Sequence, residues 1–104
     1  MTSYPVRILG SGHALPATEV TSASLDETLG LPVGTLERAS GVVARRVCRD
    51  EDQIDLAVMA AERAIADAGL EPQAIDLILG ASGVPYQTLP ATAPLIMRRL
   101  GLAD

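Results

Sequence analysis

The apolar run at residues 77–81 (LILGA) most constrains how this chain can fold, because it shows no alternation of polar and apolar side chains. A strand of that composition is typical of a parallel sheet that is covered by helices on both faces. It also needs neighbouring strands along its edges. The chain offers one other clear strand signal, residues 6–9 (VRIL). We therefore expect the sheet to be completed by a further C-terminal part, a partner chain or self-association.

The clearest helix signal covers residues 54–68. Apolar side chains recur there at steps of four and three, which indicates one buried stripe, at Ile54, Val58, Ala61, Ile65 and Ala68. Gly69 is suited to end this helix in the left-handed conformation. After a brief turn at Pro72, residues 91–100 predict a second helix that Gly101 closes.

The segment between the first strand and the long helix carries weaker signals. Thr21 or Ser22 can cap a short helix, and the spacing of Ser24 and Glu27 fits a capping box. Gly30 and Pro32 would end that helix. Residues 33–39 suggest one helical turn, and residues 41–47 (GVVARRV) suggest an extended segment.

The order of these elements predicts an α/β fold with a mostly parallel sheet, covering helices and a right-handed crossover. Residues 1–104 form part of a single domain, and no boundary to a second domain is evident. The core must be filled mainly by Ala, Leu, Val and Ile, since there is no Phe or Trp.

Charge and hydropathy exclude several classes of function. The net charge of -5 argues against binding to nucleic acid or to a membrane surface. No signal peptide and no membrane-spanning stretch is evident, so we expect a cytoplasmic protein. The local basic patches are Arg98–Arg99 and the cluster of Arg45, Arg46 and Arg49. An acidic carrier protein could bind them, although solvated helix faces explain them equally well.

The Gly10-Ser11-Gly12 turn invites comparison with a dinucleotide-binding loop. That loop requires a third glycine and a helix that begins at the turn. Leu15 occupies the third glycine position and Pro16 lies where the helix should already run. A structural turn is therefore the favoured interpretation, and we expect no cofactor.

Three other groups of side chains have a chemical and a structural interpretation. Cys48 is the only thiol and His13 the only imidazole, but Cys48 lies in the connection before a helix and not at a strand-to-helix elbow, so a structural thiol and a surface histidine are favoured. An acidic cluster could suggest a metal site, formed by Asp50, Glu51, Asp52 and Asp55. The spacing lacks the glycine and the distal glutamate of a calcium loop, so favourable charge at the helix N-terminus explains it better and no metal is expected.

Taken together, several segments resemble the N-terminal part of the ketoacyl-acyl-carrier-protein synthase III family, which has the thiolase fold. The matching pieces are ILGSGHALP, VTSASLDE, SGVVARR, DLAVMAAERAIADAGLEPQAIDLILGAS and LPATAPLIMRRLG. The resemblance implies a homodimeric enzyme that joins acyl-CoA, or another acyl thioester, to malonyl-acyl carrier protein by decarboxylative condensation. It also implies that the catalytic Cys, His and Asn lie outside these residues, so that the chain has no catalytic residue and is inactive alone.

The resemblance further implies four substrate-binding positions. Thr35 falls where many members have a tryptophan that stacks on adenine, and Ser40 aligns with the threonine of an arginine-threonine-glycine-isoleucine motif. Ala39 falls where that motif has its arginine, and Arg38, one position away, is the candidate substitute for it. These departures leave the acyl donor open between CoA and another thioester. Leu89 falls where the family reaches the acyl tunnel of the partner subunit.

An interpretation from another class remains open beside this one. The chain could be a non-catalytic assembly module, or half of a split enzyme, that docks its open sheet on a partner chain. A cysteine-containing second half encoded in an adjacent reading frame would favour the split enzyme.

Overall fold

A computed structural model of the chain describes residues 2–84, 86, 87, 89 and 91–102 of the 104. The chain divides into two compact units. One unit is Leu15–Asp52, and the other combines Met1–Ala14 with Gln53–Asp104. We call them the middle unit and the outer unit and describe each by itself.

The middle unit pairs two short strands and two helices. Strand β1 (Thr18–Thr21) runs into helix α1 (Ser22–Leu29), and helix α2 (Thr35–Ser40) is followed by strand β2 (Ala44–Val47). The strands are antiparallel, with Thr18 opposite Val47 and Thr21 opposite Ala44. The extended segment and the single helical turn expected from the sequence are thereby confirmed.

Helix α1 begins where its first unpaired backbone donors find a side chain. The Thr21 hydroxyl oxygen accepts the Ser24 N–H at 3.1 Å, and the Ser24 hydroxyl donates to the Thr21 carbonyl at 2.8 Å. Thr21 is therefore the N-cap, as one of the two predicted alternatives. Because Ser24 lies inside the helix, the predicted capping box of Ser24 and Glu27 does not start it. Gly30 ends the helix, as predicted.

The outer unit is built on helix α3 (Gln53–Asp67), followed by a 3₁₀ turn (Pro72–Ala74) and helix α4 (Thr92–Arg99). Both helix predictions are confirmed to within two residues. Gly69 adopts φ 69° after α3, which is the left-handed cap that the sequence indicated. The helices α3 and α4 pack on each other. Ile54 of α3 and Ile96 of α4 are the buried large apolar side chains among the described residues.

The two strands predicted at residues 6–9 and 77–81 are not strands in the described chain. The sheet that the described residues form is the antiparallel pair of β1 and β2, so the expected parallel pairing and crossover have no counterpart there. The physical reason is that an apolar run forms a strand only when a neighbouring backbone supplies hydrogen bonds. Most large apolar side chains of these two segments stay exposed, with Val6 at 93% and Leu79 at 85%.

Candidate functional site

Helix α2 brings together three of the four residues that the sequence singled out. Thr35, Arg38 and Ser40 all lie on its six residues. Thr35 and Arg38 are three apart and therefore neighbours on the helix surface. The fourth residue, Leu89, belongs to the outer unit.

The two hydroxyl groups of α2 are already used by the local backbone. The Thr35 hydroxyl donates to the carbonyl of Pro32. The Ser40 hydroxyl donates to the Leu36 carbonyl at 2.7 Å and accepts the Val42 N–H at 3.2 Å. Both hydroxyls therefore hydrogen-bond the backbone at the two ends of α2.

Arg38 is the side chain of α2 that remains available to an anion. It is exposed, and within the described chain its guanidinium makes no hydrogen bond or ion pair. It lies against Gly34, since a Cβ built on that glycine would be 3.2 Å from Nη1 of Arg38. Among the charged groups of α2, this guanidinium can bind a phosphate or a carboxylate.

A buried carboxylate that the sequence analysis missed holds the start of α2. Asp26 of α1 is 0% exposed. Its Oδ2 accepts the Gly34 N–H at 2.8 Å, and its Oδ1 accepts the Leu36 N–H at 3.1 Å. The sequence carried only a weak signal for this role of Asp26. The residue comes four positions after Ser22, which places the two on the same face of a short helix.

The basic cluster on and after β2 is partly turned inward. Arg45 Nη2 donates to the buried Ser22 hydroxyl at 3.2 Å, and its Nη1 is buried without a hydrogen-bond partner in the described chain. Arg46 Nε lies 3.6 Å from Glu19 Oε2, and Arg46 Nη1 donates to the Pro16 carbonyl at 3.3 Å. These arginines lie on a strand, so the explanation as a solvated helix face is wrong for them.

Leu89 presents an apolar side chain to solvent. It is 83% exposed, and its carbonyl accepts a hydrogen bond from the Gln87 side chain at 2.9 Å. In the same unit, a groove of about 370 Å³ is lined by Gln73, Ile75, Asp76, Leu77, Ile78, Met97 and Leu102. The outer unit therefore exposes apolar surface at several places.

The Gly10-Ser11-Gly12 turn packs its backbone directly on α3. A Cβ on Gly10 would lie 2.7 Å from the Ala64 carbonyl oxygen, and one on Gly12 would lie 2.5 Å from the Ala60 carbonyl oxygen. The Ser11 N–H is bound by the Asp67 carboxylate at 3.1 Å. These contacts explain both glycines structurally, in agreement with the favoured interpretation.

Cys48, His13 and the acidic cluster lie in local surroundings that the structure describes. Cys48 is an exposed free thiol, and the His13 carbonyl accepts from Arg63 at 2.7 Å. Glu51 accepts the Ala17 N–H at 3.2 Å. Across the part of the chain that the structure describes, no three metal-ligating side chains cluster, and no helix is both long and apolar enough to span a membrane.

Comparison with known proteins gives consistent matches along the chain, although no protein-family model matches it. It is 42% identical over 105 residues to the 3-oxopimeloyl-[acyl-carrier-protein] synthase of Brucella abortus, and this match covers 100% of the chain and 32% of that protein. The enzyme of the same name from Rhodothermus marinus is 44% identical over 105 residues, covering 97% of the chain and 31% of that protein.

A solved structure gives the same result. The 3-oxoacyl-(acyl carrier protein) synthase III of Pseudomonas aeruginosa superposes with a TM-score of 0.83 at 34% identity, over 91% of this chain and 29% of that one. The chain thus spans about a third of the length of the relatives it matches. The resemblance found in the sequence is confirmed: the chain matches about a third of the length of 3-oxoacyl-acyl-carrier-protein synthase III enzymes, consistent with an N-terminal fragment of that family, and it has a partial, thiolase-like α/β fold.

Proposed function

We propose that this chain is the N-terminal scaffold of a condensing acyltransferase of the synthase III type. In that reaction an acyl group passes from a donor thioester to an enzyme cysteine, and the donor thiol leaves. Malonyl-acyl carrier protein then loses CO₂, and the resulting carbanion attacks the acyl-enzyme, which releases the cysteine and forms a 3-oxoacyl-carrier protein. The observation that carries the proposal is the match along 100% of the chain to 32% of a condensing enzyme.

The exposed apolar surface of the outer unit supports this assignment. Val6, Ile8, Leu77 and Leu79 are each between 73% and 93% exposed. Exposed apolar side chains that are grouped along a segment in this way indicate an interface. The remaining part of a thiolase-like domain would cover it, and a homodimer would bury further surface, including Leu89 beside the partner's acyl tunnel.

Catalysis is assigned to residues outside this chain. Cys48 follows β2 and precedes α3, so it does not begin a helix directly after a strand, where an activating dipole would act on it. In the described chain it is an exposed free thiol. We therefore expect the 104-residue chain to be inactive by itself.

Helix α2 is the proposed contact with the acyl donor. The Arg38 guanidinium would bind a phosphate of the donor, next to Thr35 and Ser40 on the same helix. Thr35 and Ala39 provide neither an aromatic platform nor a second cation. The acyl donor in this proposal is therefore acyl-CoA or another acyl thioester. The acceptor is malonyl-acyl carrier protein, and the reaction takes place in the cytoplasm.

The identities favour a dicarboxylic acyl group within this reaction class. The matched 3-oxopimeloyl synthases are 42% and 44% identical to the chain, against 39% for the beta-ketoacyl-[acyl-carrier-protein] synthase III of Rhodospirillum rubrum. A 3-oxopimeloyl product arises when a five-carbon acyl group that ends in a carboxylate gains two carbons from malonate. Glutaryl thioesters are therefore the second set of candidate donors, beside simple acyl thioesters.

A hybrid enzyme tests the proposal. This chain replaces the matching segment of the Rhodothermus marinus synthase, and condensation with malonyl-acyl carrier protein is followed by mass spectrometry. Acetyl and glutaryl donors are each offered as CoA and as carrier-protein thioesters. We expect 3-oxoacyl products from the hybrid and none from the 104-residue chain alone.

The controls distinguish a scaffold role of this chain from a catalytic role. The unmodified Rhodothermus enzyme establishes full activity, and Cys48→Ser in the hybrid should leave the product yield unchanged. A folded but inactive hybrid would refute the scaffold role and favour the assembly module. Acyl labelling of Cys48 in the isolated chain, lost in Cys48→Ser, would contradict the assignment of catalysis to other residues.

A further inference from the structure

Asp26 is a charged side chain in a place that normally excludes charge. It is 0% exposed, although its helix has eight residues and a mostly polar surface. Burying an ionised carboxylate is costly unless hydrogen bonds replace its water. Asp26 meets this requirement with backbone N–H groups, since each of its two oxygens accepts one, from Gly34 and Leu36.

These two hydrogen bonds supply what α2 lacks. A helix of six residues is too short to be stable alone. Its N-cap is Gly34 at φ 98°, and no side chain from this end of α2 satisfies its free N–H groups. Asp26 therefore acts as an N-cap provided by a different helix, α1.

Gly34 links this cap to the proposed donor contact. Its N–H is held by Asp26 at 2.8 Å, while its carbonyl accepts the backbone N–H of Arg38 at 3.0 Å. The Arg38 guanidinium also lies against the open side of Gly34. A shift of Gly34 would therefore move a residue that contacts both the buried carboxylate and that guanidinium.

We propose that Asp26 is a positioning residue for the acyl donor, which sets the place of Arg38 by capping α2 through Gly34 and Leu36. The inference rests on the proposed function, because it takes α2 to be the donor contact. Asp26 itself does not touch the donor. It acts by holding α2 in place when the donor binds.

Steady-state kinetics of the hybrid enzyme test this role. Asp26→Asn keeps the shape but leaves one acceptor oxygen for two donors, so the KM for the acyl donor should rise roughly tenfold, with a larger rise in Asp26→Ala. The KM for malonyl-acyl carrier protein should not change. Asp67→Asn is the matched control, since it makes the same chemical change at an exposed carboxylate that binds the Ser11 N–H.

A double-mutant cycle shows whether Asp26 acts through Arg38. If it does, Arg38→Gln raises the donor KM by itself, and adding Asp26→Asn raises it little further. Fully additive effects would overturn the link through Gly34. A fall in kcat with unchanged KM values for both substrates would show that Asp26 has a structural role only.

Hydrogen exchange separates this inference from the proposed function. In the complete 104-residue chain, Asp26→Asn should speed exchange at the amide of Gly34 or Leu36 by about tenfold, and Asp67→Asn should leave both unchanged. Unchanged exchange in Asp26→Ala would refute the cap, whatever the hybrid does. An inactive wild-type hybrid with the exchange effect present would refute the donor-binding function and leave the cap in place.

Discussion

Gly12 shows how a single missing side chain allows two segments to pack. A Cβ at this position would lie 2.5 Å from the Ala60 carbonyl oxygen and 2.5 Å from the Ala64 nitrogen. Both are backbone atoms of α3, so they cannot turn aside as the end of a side chain can. The approach of the turn to the helix therefore depends on glycine.

We expect Gly12→Ala to lower the free energy of unfolding by about 1–3 kcal/mol, because overpacking must displace the turn or the helix. Gly83→Ala is the matched control, since a Cβ there meets nothing within 4 Å. It should change stability by less than about 0.5 kcal/mol. Urea unfolding followed by circular dichroism measures both, and equal effects would contradict the packing explanation.

Helix α3 carries an ion pair to α4 and, at the neighbouring position, a buried apolar side chain. Asp55 of α3 forms an ion pair with Arg99 of α4, but these side chains are 39% and 48% exposed. Ile54, the next residue on α3, is 1% exposed. Water and salt screen the ion pair, whereas burial of Ile54 removes apolar surface from water.

We therefore expect Ile54→Ala to cost about 2–5 kcal/mol of unfolding free energy and Asp55→Asn less than about 1 kcal/mol. The effect of Asp55→Asn should shrink further in 1 M salt, where screening acts within about 3 Å. Ile54→Val should cost only about 0.5–1.5 kcal/mol. Denaturant unfolding at low and high salt makes the comparison, and a larger loss in Asp55→Asn than in Ile54→Ala would contradict it.

At the scale of the whole molecule, much of the apolar surface has no cover. Ile8 is 89% exposed and Leu79 is 85% exposed, each within an apolar segment that forms no ladder in the described chain. Isolated exposed apolar residues are ordinary, but groups of them indicate an interface. The isolated chain should consequently bind hydrophobic dyes and self-associate.

Replacing Ile8 and Leu79 together by Gln should reduce dye fluorescence by roughly a third to a half and lower the sedimentation coefficient toward that of a monomer. Leu29→Gln is the control, because Leu29 is the one large apolar residue of α1 that is exposed, at 63%. It should change neither measurement. A double variant that still associates as strongly as the wild type would place the interface elsewhere.

Local elements of this fold could be predicted because their causes lie within a few residues. The stripe of α3, the Thr21 cap and the Gly69 end all depend on neighbours along the chain. The family could be recognised for a related reason, since the order of several short segments is specific even when each is not. The proposed donor contact was found on α2 by that resemblance and stays a proposal.

The sequence by itself determined helices α3 and α4, the Gly30 and Gly69 helix ends and the resemblance to the family. Only the tertiary structure decided that Asp26 caps a helix eight residues away, that Gly12 packs on the backbone of α3, and that β1 and β2 pair in antiparallel register. The spacing of apolar residues in a helix and the capping of its ends depend on residues that are near neighbours along the chain. Burial, close approach and strand pairing depend on which distant backbone atoms meet, and no local pattern encodes that.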